Sequence, residues 1–287
     1  MRADPLVNFV KGVLPGPVLR VIRRIRAPRE RPDPKIAELR KRHLTYQPSD
    51  PSAITLRPGI TLRIDSESRD PFEWYCFKSP EGTCELDRFI ENVVALSSFV
   101  DVGANHGIFS LTFCALRPGG RVVAIDPSPI AIEILRKNLD LNSLSQVHAR
   151  KVACGAAPAQ VRMQPHWHFL LPISDEASAV DAVDVPMLPL DQICEEENIV
   201  PELLKIDVEG FELPVLQGAE RVLRTAKLLF LEVHPEAIDQ LGLSQSSIFE
   251  FLTGGGWRGY TLKEEAALTR EQFAAQRHIF HTVWRKR

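Results

Sequence analysis

At 287 residues, 44% hydrophobic and 25% charged, the chain has the composition of a globular protein with room for one large or two small domains. The net charge is only −2, and no run reaches the ~18 uninterrupted apolar residues of a membrane span, which argues against a transmembrane protein. Five cysteines (76, 84, 114, 154 and 194) form no C-x-x-C pair, so free thiols in a reducing cytosol are expected over disulfides or a zinc site.

The charge is unevenly spread. Residues 11–42 hold eleven Lys/Arg against Glu30, Asp33 and Glu38, a net of +8, and the remaining chain carries −10. Within 6–26, Val18, Ile22 and Ile25 recur at helical spacing, flanked by Arg20, Arg23, Arg24 and Arg26. Two readings stay open for this arm: contact with an anionic membrane surface, or a helix packed on its own protein or on a second copy through residues 6–42. Nucleic acid is not expected, because the arginines interleave with aliphatics and the body is acidic. Lys11, Gly12, Pro15 and Pro17 interrupt the apolar stretch, and the basic cluster follows it, so a signal peptide is not expected. Residues 27–34, with three prolines, read as a linker.

Ile54, Leu56, Ile60, Leu62 and Ile64 around Pro58-Gly59 predict a hairpin over 53–64. A second extended patch is expected at 72–77, followed by Gly82 and a short helix at about 84–95; together these would cap a sheet. Strands then alternate with helices. Strands are expected at 98–103, 121–126, 147–153, 202–207, 228–233, 257–262 and 278–284, and helices at about 107–117, 128–142, 212–224 and 244–254. The last strand follows only a loop, so it should insert antiparallel beside strand five. Residues 155–198 are too long for a plain crossover. Val161-Arg162-Met163 and Val183–Met187 suggest an extra hairpin there, with His166-Trp167-His168-Phe169 at its tip.

The chain is organised around residues 99–110, a strand run that breaks at Gly103 and resumes as an apolar-periodic helix after Gly107. Such a strand–glycine–helix turn makes a nucleotide pocket in an open α/β sheet. The spacing Gly103-x3-Gly107 lacks a third glycine, and Asp101 precedes the turn, so a pyrophosphate suits it poorly. A cationic ligand such as S-adenosylmethionine, with its ammonium and sulfonium, suits it better. Asn105 could contact that ligand or serve only to take up left-handed backbone. Asp126 ends strand two, nineteen residues after Gly107, where an acid can accept from ribose hydroxyls; its other reading is a helix N-cap before Ser128-Pro129. Asn138 reads as part of a solvated helix face. Alternation places Lys205, Asp207 and Glu209 on one side at the end of strand four, with Glu232 and His234 on the adjacent strand. Asp207 could orient an acceptor hydroxyl, His234 could take its proton, and Glu209 and Glu232 could hold further hydroxyls. Lys205 is either part of this site or a charge partner of the acids. Glu212 reads as a first-turn helix acid, and His278 and His281 as structural.

Four stretches occur in order: Val100-Asp101-Val102-Gly103-Ala104-Asn105-His106-Gly107, Ile125-Asp126-Pro127, Leu204–Glu212, and Leu231-Glu232-Val233-His234-Pro235. Together they resemble the FkbM family of S-adenosylmethionine-dependent methyltransferases, over roughly residues 70 to 284. The resemblance implies a doubly wound seven-stranded Rossmann-like methyltransferase sheet with an antiparallel last strand and an N-terminal helical/β cap. It divides the chain into an arm and linker (1–45), a cap (46–97) and a methyltransferase domain (98–287) with an insertion at 155–198. It implies methyl transfer to a hydroxyl of a sugar, glycolipid, polysaccharide or polyketide-type metabolite. Relatives generally carry a glutamate in the cap, and Glu85 is the best match, as a contact to the cofactor's ammonium or as a helix first-turn acid. The cofactor contacts are then Glu85, Asp101, Gly103, Asn105, Gly107 and Asp126. No metal is assigned; Mg²⁺ on Asp207, Glu232 and His234, as catechol-type methyltransferases use it, stays open. An N-directed methyltransferase and a non-catalytic cofactor-binding scaffold are the rival functions. A cytoplasmic protein, with or without peripheral membrane contact, is expected.

Overall fold

The computed structural model describes residues 52–163, 183–263 and 266–286. The basic arm at 6–42 and the expected hairpin tip at 166–169 lie outside them. Among the described residues no helix is long and apolar enough to cross a membrane.

The hairpin forms as expected, with β1 (Ala53–Arg57) antiparallel to β2 (Ile60–Arg63). The next segment corrects the sequence reading. Residues 72–77 are not extended but belong to α1 (Arg69–Glu73) and the single π-helical turn that continues it through Lys78. Ser68, Phe72 and Cys76, four apart, are its buried members, and Arg69 pairs with Glu73 one turn on at 3.0 Å. That helical periodicity outweighs the β-propensity of the aromatic residues. Helix α2 (Pro80–Val93) starts earlier than expected, because Ser79 caps it by accepting from the Gly82 N–H at 3.1 Å and Pro80 suits a first turn. Gly82 therefore lies inside the helix, against the Trp74 ring.

The alternating region follows as β3 (Ser98–Val102), α3 (Ile108–Leu116), β4 (Arg121–Asp126), α4 (Pro129–Leu141) and β5 (Val147–Lys151). The insertion supplies β6 (Ala153–Cys154), β7 (Ala159–Met163) and β8 (Val183–Leu188), a small sheet in which β7 and β8 form the expected antiparallel pair. Then come α5 (Leu190–Glu196), β9 (Leu203–Ile206), α6 (Glu212–Gln217), α7 (Glu220–Thr225), β10 (Leu228–Val233), α8 (Pro235–Gln240), α9 (Gln245–Gly254), β11 (Trp257–Thr261), α10 (Arg270–Ala274) and β12 (Phe280–Lys286). The helix expected over 212–224 is thus two helices, broken at Gly218-Ala219. Helices α5, α8 and α10, each seven residues or shorter, were not anticipated.

Seven strands form one sheet in the order β11-β12-β10-β9-β3-β4-β5. The run from β10 to β5 is parallel, and β12 lies antiparallel between β10 and β11. This is the doubly wound seven-stranded α/β sheet with its reversed last strand. Period-two alternation sorts the strand residues onto two buried faces. Phe99, Leu203, Phe230 and Val283 pack on one face with the hairpin, α2, α3 and α4. Val100, Leu204, Leu231 and Trp284 pack on the other with α5 to α10. Asp101, Lys205, Glu232 and His281 follow the register of the first face (Asp101 beside Lys205, Glu232 opposite His281), so a layer of charge lies within that face toward the strands' carboxyl ends.

Candidate active site

The β3–α3 bend is held by backbone. The Gly103 and Ala104 N–H groups both donate to the Ile125 carbonyl at 2.9 Å. Gly103 has φ +83°, and a Cβ there would stand 1.7 Å from the Asp207 carbonyl oxygen; only glycine allows the end of β3 to touch the end of β9 so closely. Asn105 takes up left-handed backbone at φ 48°. Its N–H donates to Asp126 Oδ2 at 2.9 Å, while Asp126 Oδ1 accepts from the Ser128 N–H at 2.8 Å. Ser128, not Asp126, caps α4, accepting from the Ala131 N–H. Asp126 therefore braces the bend at the sheet's carboxyl edge. Gly107, at φ +91°, starts α3. Beneath the bend Asp101 is buried; Ser110 Oγ donates to its Oδ2 at 2.7 Å, Oδ1 has no hydrogen-bond partner, and burial pushes its carboxyl up to about 6.

Asn138 corrects the solvated-face reading. It is fully buried, donates to Ser68 Oγ at 2.7 Å and to the His106 carbonyl at 2.8 Å, and accepts from the Asp65 N–H at 2.7 Å. It ties the cap to the bend.

The ends of β9 and β10 carry the charge cluster. Lys205 Nζ, 1% exposed, donates to Asp207 Oδ2 at 3.0 Å, lies 3.8 Å from Glu85 Oε1 and 4.0 Å from Glu232 Oε2, and sits 4.6 Å from the centre of the Phe109 ring. Burial opposes its charge, but Asp207, Glu85 and Glu232 together hold it protonated, well above the ordinary lysine value. The neighbouring turn places Glu209 (φ 51°) and Gly210 (φ 100°) both in left-handed backbone. That swings the Glu209 carboxylate back to the cluster, where Oε2 lies 3.1 Å from His234 Nε2. A non-glycine residue held at positive φ is strained, and such strain gathers at functional sites.

His234 links the acids. Glu232 Oε1 is 3.4 Å and Asp207 Oδ1 is 3.9 Å from its Nε2. Its Nδ1 pairs with Glu212 Oε1 at 2.8 Å, and that oxygen also accepts from the Gly210 N–H at 3.0 Å. Burial disfavours an imidazolium, yet Glu212, Glu232, Glu209 and Asp207 raise His234 to about 11. Burial lifts Glu209 to about 7, and burial together with the Glu232 charge raises Asp207. On the inner side His281 Nδ1 lies 3.3 Å from Glu85 Oε2 and 3.5 Å from Glu232 Oε2. Burial lowers the charge affinity of His281, but the two glutamates lift it to about 9.

Lys205, Asp207, Glu209, Glu232 and His234 therefore converge, as alternation suggested. Glu85 joins them on the buried side, with Lys205 and His281 as its contacts. Glu212 and His281 belong to the same cluster, although neither was singled out for it. Glu212 does sit in the first turn of α6, but its carboxylate turns back to His234. His281 reaches Glu232 only through the antiparallel register of β12, which no local motif announces.

A family profile described as the Methyltransferase FkbM domain matches residues 101–262. Methyltransferase 1 of Beauveria bassiana is 28% identical over 196 residues, covering 61% of this chain and 74% of that protein. Methyltransferase sdnD of Sordaria araneosa is 29% identical over 166 residues, or 46% and 63% of the two chains. Hexuronic acid methyltransferase AglP of Haloferax volcanii is 24% identical over 139 residues, or 47% and 54%. The profile spans more than half of the sequence, including the bend, Asp126 and the cluster residues from Lys205 to His234, and the chain belongs to the FkbM methyltransferase family.

Proposed function

We propose that the chain is an S-adenosylmethionine-dependent O-methyltransferase acting on a hydroxyl of a sugar, glycolipid, polysaccharide or polyketide-type metabolite. The observation that carries the proposal is the backbone contact between bend and cluster. Gly103 packs on the Asp207 carbonyl, and the Asp207 N–H donates to the Val102 carbonyl at 2.9 Å. A group gripped at the bend is thereby set beside the carboxylates.

The bend fits such a cofactor. Gly103, Asn105 and His106 are its accessible residues, Asn105 Oδ1 has no hydrogen-bond partner, and Asp126 offers carboxylate lone pairs to ribose hydroxyls. Asp101, Gly107 and Glu85 lie deeper and contribute charge or conformation, which favours a cationic ligand. When bound, S-adenosylmethionine supplies a sulfonium-borne methyl for a single displacement. Positioning does most of the catalytic work. Asp207 and Glu209, the most open members of the cluster at 16% and 26% side-chain exposure, receive the acceptor hydroxyl. The sequence reading gave the proton to His234. With its imidazolium held by four acids, we assign proton removal instead to Glu209, whose value near 7 suits a base at neutral pH. His234 fixes Glu209 and Glu232 in place, with Lys205 behind Asp207. The name of the hexuronic acid methyltransferase supports a sugar acceptor.

Titration calorimetry with S-adenosylmethionine and with NAD tests the cofactor: binding of the former and not the latter is expected, and preferential binding of NAD would remove the assignment. Incubation of cell extract with methyl-labelled cofactor, followed by identification of the labelled product, tests the acceptor; a label on nitrogen would overturn O-methylation.

A further inference from the structure

We infer that Tyr75 selects and orients the acceptor: its phenol hydroxyl, carried to the mouth by the π-helical turn of the cap, donates to a second acceptor oxygen beside the hydroxyl that takes the methyl. The inference rests on the methyl-transfer reading, and it narrows the acceptor to a ring with neighbouring oxygens, as a sugar has.

The turn is built for one side chain. The Ser79 N–H reaches back five residues to the Trp74 carbonyl at 3.0 Å, which widens the turn and redirects the residues on it. Single turns of this kind gather at functional sites. Helix α2 braces it, because the Trp74 ring lies so close over Gly82 that a Cβ there would stand 2.3 Å from it.

Tyr75 packs inward from this turn. Its ring meets Phe109 edge-on, with centroids 5.1 Å apart, and Phe109 leads on to Phe89, Phe99 and Phe230. The same Phe109 ring carries the Lys205 ammonium 4.6 Å from its centre, so Tyr75 and Lys205 meet one side chain. Every other ring in this row is a phenylalanine. Packing explains the ring at position 75 but not the oxygen on it.

That oxygen lies among the charges of the cluster. Burial, together with Asp207, Glu232 and Glu85 and against the opposing Lys205, pushes the phenol well above the ordinary tyrosine range, so it stays a neutral donor. The residue is half-buried, and its hydroxyl has no hydrogen-bond partner among the described residues; a tyrosine hydroxyl this far inside usually finds one. The mouth otherwise offers carboxylates, and Lys205 and His234 direct their N–H groups at them. Carboxylates receive protons from acceptor hydroxyls, but an acceptor oxygen that must itself receive a hydrogen bond needs the phenol. A donor on the reacting oxygen would tie up the lone pair that attacks the methyl, so the neighbouring oxygen is the productive partner.

The test compares Tyr75→Phe in the full chain with Tyr260→Phe, on the outer strand β11, as a control. Both should melt with wild type; a clearly lowered midpoint for Tyr75→Phe would tie its hydroxyl to the fold and overturn the inference. Methyl transfer from labelled S-adenosylmethionine is then followed against serial dilutions of cell extract. Tyr75→Phe should need roughly five- to tenfold more extract for its half-maximal rate, as loss of one uniformly made hydrogen bond implies, with maximal rate and calorimetric cofactor affinity within about twofold of wild type. Tyr260→Phe should follow the wild-type curve. A labelled product with no oxygen on the carbon next to the new methoxyl overturns the inference. Equal curves for wild type and Tyr75→Phe remove Tyr75 and leave methyl transfer, whereas no labelling by wild type removes methyl transfer and the inference with it.

Discussion

The bend after β3 and the mouth at the ends of β9 and β10 touch each other, yet they are built on opposite plans. In the bend, backbone donors meet partners inside the protein: Gly103 and Ala104 on Ile125, Asn105 on Asp126. Its shape is set by dihedral angles and by the absence of a side chain at Gly103. In the mouth, shape is set by charge. Asp207, Glu209, Glu212 and Glu232 crowd around His234, with Lys205 and His281 behind, and buried oxygens of Glu212 and Glu232 stay without hydrogen bonds. A region whose backbone donors are satisfied within the chain holds its form alone. A region with surplus buried negative charge is completed by what binds it. The two should therefore fail differently, the bend in stability and cofactor affinity, the mouth in turnover.

The largest effect is expected at Asp207. Asp207→Asn keeps the shape but removes the charge that faces both Lys205 and His234. Turnover on the true acceptor should fall by roughly 10²- to 10⁴-fold while cofactor affinity stays within a few-fold, measured by methyl incorporation and calorimetry. Full activity would return Asp207 to a purely structural role. Next comes Gly103→Ala. Its methyl group would meet the Asp207 carbonyl at 1.7 Å on a residue with φ +83°, so the strands must separate. The cost should be about 3 kcal/mol or more, read as a lowered denaturation midpoint together with lost cofactor binding. A variant as stable as wild type would show that the bend is not the rigid partner.

The same contrast governs how much the sequence reveals. The sheet is legible because its central strands β3, β4, β9 and β10 are short, largely apolar runs: the bounds 121–126 and 228–233 match the observed ones, and the others agree within about two residues. The bend was legible because glycine spacing is a local signal. Residues 72–77 look extended because of their aromatic content, whereas the four-residue recurrence of Ser68, Phe72 and Cys76 makes them helical. Asn138 is illegible for a different reason. Its partners, Asp65, Ser68 and His106, lie 32 to 73 positions away, so nothing beside it reports its burial. His281 and Glu85 meet across 196 positions of chain through strand register and helix packing. Their pairing is tertiary information, and only the antiparallel placement of the last strand hinted at it.

Asp126 and Ser128 offer a smaller and cleaner separation within the bend. Ser128 caps α4, so Ser128→Ala should cost about 1 kcal/mol of stability and leave cofactor affinity nearly unchanged. Asp126→Ala removes the acceptor of the Asn105 and Ser128 N–H groups. It should weaken cofactor binding by roughly tenfold or more, as loss of hydrogen bonds to a charged group implies. Equal cofactor affinity in the two variants would mean that Asp126 braces the helix start and nothing else.

The subtlest effect is in the pH profile, and it sharpens the division of labour inside the mouth. Burial raises Glu209 to about 7, so in the folded protein its base form is lost as pH falls through 7 and gained as pH rises through it. His234, raised to about 11, stays charged across that whole range and contributes no inflection there. The rate at low acceptor concentration should therefore climb through about pH 7, and Glu209→Gln should flatten that limb as well as lower the plateau. The sign for stability is opposite: an acid whose folded value exceeds its ordinary one favours folding below its ordinary value and loses that contribution as pH rises through about 7. Glu209→Gln should thus resist denaturation slightly better than wild type above pH 7 and gain nothing below pH 4. A residue that lowers stability at the pH where it raises the rate is held there by the reaction, and a profile unchanged in Glu209→Gln would move the base to another member of the cluster.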